Sequence, residues 1–308
     1  MPELTLTAAS THDRWNRDLS PQLTVPSGTV IHIECLDSSG GQIAPDSTLA
    51  DFLQIDRNKI HTLTGPVLVE DAQPGDVLQV EFLEITHRGW GWSSIIPGLG
   101  FLPERFPDPF FFSWKLDENV SRSLIPAVVP LRPFCGVVGV APGEKGEFRT
   151  RPPGRFGGNI DVRDLVSGST IFLPVQTPGA LLSLGDAHAA QGDGEVCING
   201  IECPVDVTVR LKLIKNKKLT APLVESAPSR SETAGEWIMV ESDIEPLAAA
   251  RRATLRMIEF LGEQWSLSPE HAYLLCSVAM GLRLAQVVNI PMVTVCAALK
   301  KSIFEQHR

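Results

Sequence analysis

A chain of 308 residues with 43% hydrophobic and 20% charged residues can bury a substantial core, in one large unit or two smaller ones, and is not a disordered polymer. Its net charge of −9 and pI near 5.3 leave no basic face for nucleic acid or an anionic membrane, so neither is expected as a partner. Six scattered cysteines without a CxxC pair give no support to a four-cysteine zinc site, and read as small buried hydrophobes in a reducing compartment.

The start Met1-Pro-Glu-Leu-Thr lacks a signal-peptide pattern, and no apolar run approaches the roughly 20 residues that span a bilayer, so a cytoplasmic protein is expected. Residues 1 to 90 read as strands and turns. Gln22 to Val25, Val30 to Cys35 and Val77 to Ile85 alternate apolar with polar residues, the period of half-buried strands. His61 stands before Thr64-Gly65-Pro66 at the entry to a further strand, Val67 to Val69, where an imidazole could serve a metal or simply be a satisfied side chain.

From 88 to 114 the pattern breaks into Gly89-Trp-Gly-Trp92, Pro97-Gly-Leu-Gly100 and Phe110-Phe-Phe-Ser-Trp114, which predicts neither a regular strand nor a helix. Trp90 and Trp92 are read as a flap over an apolar pocket, and the Phe run as a buried plug or subunit contact. Val128 to Leu131 and Cys135 to Val140 are expected as a buried strand pair. Glu147 follows in a polar loop, and Asn159 and Asp161 follow a Gly-Gly turn, spaced to point the same way on an extended backbone.

The chain concentrates polar chemistry at Gly185-Asp-Ala-His-Ala-Ala-Gln-Gly-Asp-Gly-Glu195, read as a glycine-rich loop between two apolar strands, 178–184 and 196–201. The alternative is an ordinary solvated hairpin loop. Val205 to Leu213 is the clearest alternating strand, and the basic stretch Arg210 to Lys218 reads as an exposed strand edge. After a short strand at Trp237 to Val240 the last quarter turns helical. Pro246 fits the first position of a helix through Trp265, with Leu247, Leu255, Ile258, Leu261 and Trp265 at helical spacing. Ser268-Pro269 caps a second helix that ends near Gly281, and Val293 to Ala298 returns to strand.

Three segments therefore carry the chemistry: His61; Asn159 with Asp161; and Asp186 and His188 with Asp193 and Glu195. If a β scaffold brings them together, a mixed carboxylate and imidazole set suits a divalent metal, zinc before calcium, which prefers oxygen alone. There is no GxSxG, no Walker loop and no GxGxxG in a βαβ setting; Cys197, which follows Glu195-Val196, is a minor candidate nucleophile that would need a polar, activating surround.

These residues resemble the acetamidase/formamidase family. The resemblance is carried by Leu63-Thr-Gly-Pro with Val69-Glu, Pro74-Gly-Asp-Val-Leu, Arg155-Phe-Gly-Gly-Asn-Ile-Asp161, the 185–197 stretch, Ser268-Pro-Glu-His-Ala-Tyr, and Gln286-Val-Val-Asn289 with Lys301-Ser-Ile-Phe304. It implies a mainly β fold, a jelly-roll-like β-sandwich with smaller α+β portions and a helical segment near the C-terminus. The chain has no short internal repeat, low-complexity segment or long linker, and so is expected as one unit over 1–308, β-rich to 240, with a helical addition and final strand over 241–308. The resemblance also implies metal-dependent hydrolysis of short carboxamides, with Asp161, Asp186 and His188 as ligands and His61 as a further one where the family also accepts Asn.

In that reading Glu147 or Glu195 moves the proton, Asn159 or Gln191 donates to the oxyanion, and Trp90 and Trp92 wall the substrate pocket. The partner is a small amide, and the assembly a homo-oligomer, dimer or higher. A γ-lactam hydrolase and a non-catalytic metal- or ligand-binding jelly roll are the alternatives. Two positions depart from the family pattern: Met280-Gly281 where an acid is usual, and Ile198-Asn199-Gly200, bulkier than expected, at the pocket wall.

Overall fold

The computed structural model describes residues 4–228 and 235–304. Two nine-stranded sheets dominate it. The first runs in the order Leu4–Leu6, Val30–Cys35, Val205–Ile214, Val77–His87, Thr170–Pro174, Leu223–Glu225, Glu236–Asp243, Val293–Lys300 and Gly281–Gln286. The second runs Gly157–Asn159, Phe134–Gly139, Leu182–Ala190, Ile201–Glu202, Trp90–Ile95 and Phe110–Lys115, with Leu63–Val69 pairing Leu182–Ala190 and carrying Thr11–His12 and Leu23–Val25. The expected mainly β fold is observed.

Period-two alternation explains the layering. In Val30–Cys35 and Val205–Ile214 every second residue is buried, and these side chains meet Phe134, Val138, Leu182 and Leu184 of the other sheet in one continuous core. The C-terminal strands of the first sheet are used on both faces. Ile238 and Val240 enter the inter-sheet core, while Met239 and Trp237 face two helices. A one-turn helix α1 (Leu49–Gln54) begins at a Thr48–Asp51 capping box. The others are α2 (Pro246–Trp265), with proline in its first turn, and α3 (Pro269–Ala279), capped by Ser268 as its sequence anticipates. The buried stripe of α2 is Ala249, Ala253, Met257 and Leu261, whereas Leu247 and Leu255 are exposed. Arg256 lies buried on the same helix and donates to the carbonyls of Ala221, Pro222 and Val240, which clamps α2 to the sheet. Among the described residues no helix is long and apolar enough to cross a membrane.

Five expectations are corrected. The 88–114 segment does contain strands: Trp90–Ile95 pairs antiparallel with Phe110–Lys115, because aromatic residues suit a pleated, half-buried surface. Gly91 is needed there, since a Cβ would press on the Glu202 carbonyl of the neighbouring strand. The segments 128–131 and 135–140 do not pair with each other; Val129–Pro130 joins Val120–Ser121, and Phe134–Gly139 lies between Gly157–Asn159 and Leu182–Ala190. Asp186 and His188 are not in a loop. Their strand continues to Ala190, with Ala187 and Ala189 filling the core on the opposite face. Of the 196–201 run only Ile201 enters a strand, the two-residue Ile201–Glu202. Finally, the strand bearing Arg210 is interior to its sheet, flanked by Val30–Cys35 and Val77–His87; its charges face solvent rather than guard an edge.

Candidate metal centre and substrate cavity

The site forms where the Leu182–Ala190 strand exchanges partners. On one side it follows Phe134–Gly139 throughout. On the other, Leu63–Val69 accompanies it as far as Gly185, and Ile201–Glu202 takes over at His188. Asp186 falls in the gap between these two neighbours, with a left-handed backbone (φ 52°). The register sets His188 opposite Glu202, and their side chains meet with Nε2 3.0 Å from Oε1. Asp186 Oδ1 lies 3.5 Å from the same nitrogen. Asp161 arrives from the turn after Gly157–Asn159, its amide donating to the Gly136 carbonyl and its Oδ2 accepting from Asn289. Gly136 makes this convergence possible, because a Cβ there would strike Asp161 Oδ1.

Asp161, Asp186 and His188 bring ligand atoms within 4.8 Å of one another, and so do His188, Glu195 and Glu202. All five are buried. His61, Asp161, Asp186 and Glu195 all have positive φ, between 47° and 53°, a conformation that costs most residues about 1 kcal/mol or more. All four line the same cavity.

Gln191 orients the histidine. Its Nε2 donates to the carbonyls of Asp161 and Ala285, so its Oε1 must accept from His188 Nδ1 at 2.8 Å. The proton is therefore on Nδ1, and Nε2 is left to face two carboxylates. A neutral imidazole presents a lone pair there, which is tolerable only if a proton or a metal cation lies between. The carboxylate count points the same way. Burial, then the charge of Asp186, pushes Asp161 up to about 8. Burial, then Asp161, drives Glu195 well above the usual range. Burial opposes charge on His188, but Glu202 and Asp186 outweigh it and raise the imidazole well above its ordinary value. Burial likewise opposes ionisation of Asp186, yet His61 and His188 hold it below the usual carboxylate range. Buried atoms without a hydrogen-bond partner include Asp161 Oδ1, Asp186 Oδ1, Glu195 Oε2, Asn159 Oδ1 and His61 Nδ1. One imidazole, four carboxylates and this set of unpaired atoms fit a divalent cation.

The cluster opens into a cavity of about 270 Å³. Asn159, Asp161, Asp186, Glu195, Glu202, Asn289 and His61 line it, together with Trp92, Phe52 and Ile96. Trp92 is buried, stacked on Phe111 and tilted against Phe52, and its Nε1 donates to Asp37. Of the residues expected at the site, Asp161, Asp186, His188, Glu195, Asn159, His61 and Trp92 come together. Three do not take the expected place. Glu147 is exposed and outside the cavity lining, because its loop follows the end of Phe134–Gly139 into solvent. Gln191 is engaged by His188 and two carbonyls and has no free donor for an oxyanion. Trp90, on the same strand face as Trp92 but two residues nearer the strand's start, is half-buried and off the lining. Asp193 pairs with Arg163 at 2.9 Å and fixes the loop. The thiol of Cys197 donates to the Ser94 carbonyl and is raised by burial, and among the described residues no ion pair or base activates it. Ile198 and Asn199 do wall the cavity. Sequence reasoning missed Glu202 and Asn289; an acid inside the apolar run Ile201-Glu-Cys203 was the available signal for the first.

Comparison with known proteins identifies the family. The chain matches the Acetamidase/Formamidase family over residues 3–146 and 143–306. It is 29% identical to an acetamidase of Mycolicibacterium smegmatis over 86% of this chain and 84% of that one. The solved acetamidase of Bacillus halodurans superposes with a TM-score of 0.89 at 32% identity, covering 98% of each chain. A γ-lactamase from Delftia acidovorans superposes at 0.69 with 27% identity, over 96% of this chain and 90% of that one. The chain thus belongs to the acetamidase/formamidase family and is an amidase acting on carbon–nitrogen bonds other than peptide bonds.

Proposed function

We propose that the chain hydrolyses the C–N bond of a carboxamide at a divalent metal centre, with zinc as the ion. Asp161, Asp186 and His188 would hold the ion, with Glu202 beside them. One observation carries the reading: His188 Nε2, freed by the Nδ1–Gln191 bond, faces buried carboxylates that lack a counter-charge. When bound, such an ion supplies Lewis acidity toward the amide carbonyl and a water of lowered pKa.

The protein's own residues do the rest. Glu195 Oε2, buried and without a partner, takes a proton from the attacking water and returns it to the departing nitrogen, so that the C–O bond forms as the C–N bond breaks and ammonia leaves. The Asn159 amide, on the cavity wall, donates to the developing oxyanion. Glu202 is anchored by the Ser38 amide at 3.2 Å and keeps His188 in place. Trp92, Phe52 and Ile96 exclude water from one wall. The test is metal analysis with an ammonia-release assay on formamide and acetamide before and after chelation. A metal-free protein with full turnover would end this reading. Cyclic amides are a second substrate class, favoured by the structural likeness to the γ-lactamase, and belong in the same screen. We further propose a homo-oligomer, since Phe101, Leu102, Phe106, Leu124, Ile125 and Val128 are exposed along one stretch; a monomer by light scattering would exclude it.

A further inference from the structure

Four arginines, Arg14, Arg57, Arg149 and Arg151, line the cavity whose floor is the carboxylate cluster, and the hydrolysis above employs none of them. Two of them face each other. In the short ribbon that joins Phe148–Arg149 to Arg14–Trp15, Arg149 is the direct cross-strand neighbour of Arg14. Like charges in that position destabilise a ribbon, so the pair needs a reason. Arg14 has Asp13 at 3.7 Å for partial relief. Arg149 makes no ion pair among the described residues. Arg151 is half-buried, and its guanidinium donates only to the Val288 carbonyl at 3.4 Å. Burial, with the charge of Arg149 added, holds Arg151 below its ordinary value, against the pull of Glu195. Arg149 is exposed and Arg151 half-buried, so both stand nearer solvent than the buried carboxylates of the same cavity.

The cavity also has room for more than the simplest amides. A water needs on the order of 10–15 Å³ of such space, and the cavity offers about 270 Å³, so formamide or acetamide would fill a corner of it. Guanidinium groups with free forks match a carboxylate in charge and shape.

We propose that the substrate is an amide bearing a carboxylate at its far end, held at the mouth by Arg149 and Arg151 while the amide lies over the buried cluster. This rests on the amide-hydrolysis reading above. The experiment compares succinamate and glutaramate with neutral methyl succinamate and cationic β-alaninamide in the metal-loaded protein, and in the Arg149→Gln/Arg151→Gln double variant. Succinamate or glutaramate should exceed the neutral ester at least about tenfold in kcat/KM, chiefly through KM, as expected of a charge-assisted contact. The double variant should bring that ratio close to one. Equal turnover of the acid and the ester by the unaltered protein, or a ratio that survives in the variant, overturns the proposal.

A binding measurement separates this outcome from failure of the hydrolysis reading. Succinate should bind the unaltered protein at least about tenfold more tightly than the double variant by calorimetry, whether or not any amide is cleaved; equal affinity also overturns it. The melting temperature of the variant should stay level or rise as the Arg14–Arg149 repulsion is relieved. A fall of several degrees with an unchanged ratio assigns the arginines to structure alone.

Discussion

Replacing Gly136 by alanine tests the geometry of the centre with one methyl group. Gly136 lies in the fully buried Phe134–Gly139 strand, with no positive φ to forbid a side chain. An added Cβ would strike Asp161 Oδ1 and lie 3.0 Å from the Asp186 carbonyl and 3.2 Å from His188 Cε1. Asp161 cannot swing aside freely, because Asn289 holds its other oxygen. Overpacking of this kind costs about 1–3 kcal/mol, and the loss of glycine's unfolded-state freedom returns about 0.4–1 kcal/mol. The net expectation is a loss of about 1–2 kcal/mol, which in a chain of 308 residues lowers Tm by about 1.5–3 °C. The larger effect falls on the ligands: displaced from their positions, they should lose about 10–100-fold in metal affinity or activity. Metal titration, scanning calorimetry and ammonia release read these three quantities. Gly281→Ala, where nothing lies within 4 Å of the new methyl, is the control and should do none of this. A Gly136→Ala protein with full metal content, undiminished turnover and a raised Tm would refute the assignment of Asp161 and His188 to one centre.

Gln191→Leu removes the acceptor of His188 Nδ1 and should weaken metal binding about 10–100-fold, while Gln191→Glu, which keeps an acceptor, should fall between; equal affinities would show that the tautomer is set elsewhere. Glu202→Gln removes a buried charge beside His188 and should lower turnover with little loss of Tm, measured side by side in the metal-loaded protein. Arg256→Ala removes one of the two cations on Glu241, Arg252 remaining, together with the side-chain donor to the carbonyls of Ala221, Pro222 and Val240, and should cost about 1–3 kcal/mol in urea unfolding. For Asp76, burial works to raise the pKa, but Lys215 and the amides of Asn216 and Gln73 outweigh it and hold the carboxyl below its ordinary value. A folded-state pKa below the unfolded one stabilises above about pH 4 and is lost as pH falls through the folded value. Asp76→Asn should therefore be about 1 kcal/mol less stable near pH 7 and match the parent near pH 2; a gap that persists at low pH would contradict this.

The elements legible in the sequence were those whose signal is local. Val30–Cys35 and Val205–Ile214 show alternation because one face meets the opposite sheet and the other meets water. The helix at Pro269 shows its Ser268 cap and the helix at Pro246 its first-turn proline. What was illegible depended on partners distant in the chain. Asp186 and His188 looked like loop residues because glycine and small residues surround them, yet those small residues let five strands and turns converge on one point. Glu202 reaches the site only through its register with His188, 14 residues away on a strand of two residues, and Asn289 through a turn after Gly281–Gln286. Glu147 was chosen from its type and a nearby motif, and solvation of its loop removes it from the cavity. Asp161, Asp186, His188 and Glu195 were legible because an acid or imidazole among glycines has no use in a core.

The left-handed backbone shared by His61, Asp161, Asp186 and Glu195 dictates how these side chains can be interrogated. Alanine at such a position changes the charge and also penalises the backbone, so a dead, poorly folded Asp186→Ala protein would be uninterpretable. Asparagine visits this region more readily than other residues with a side chain, so Asp161→Asn and Asp186→Asn subtract the charge while sparing the chain path. Glycine does the reverse: it relaxes the path and discards the functional group. At either aspartate, then, Asn and Gly variants together would apportion the effect between electrostatics and conformation, a separation that an extended strand residue could not provide.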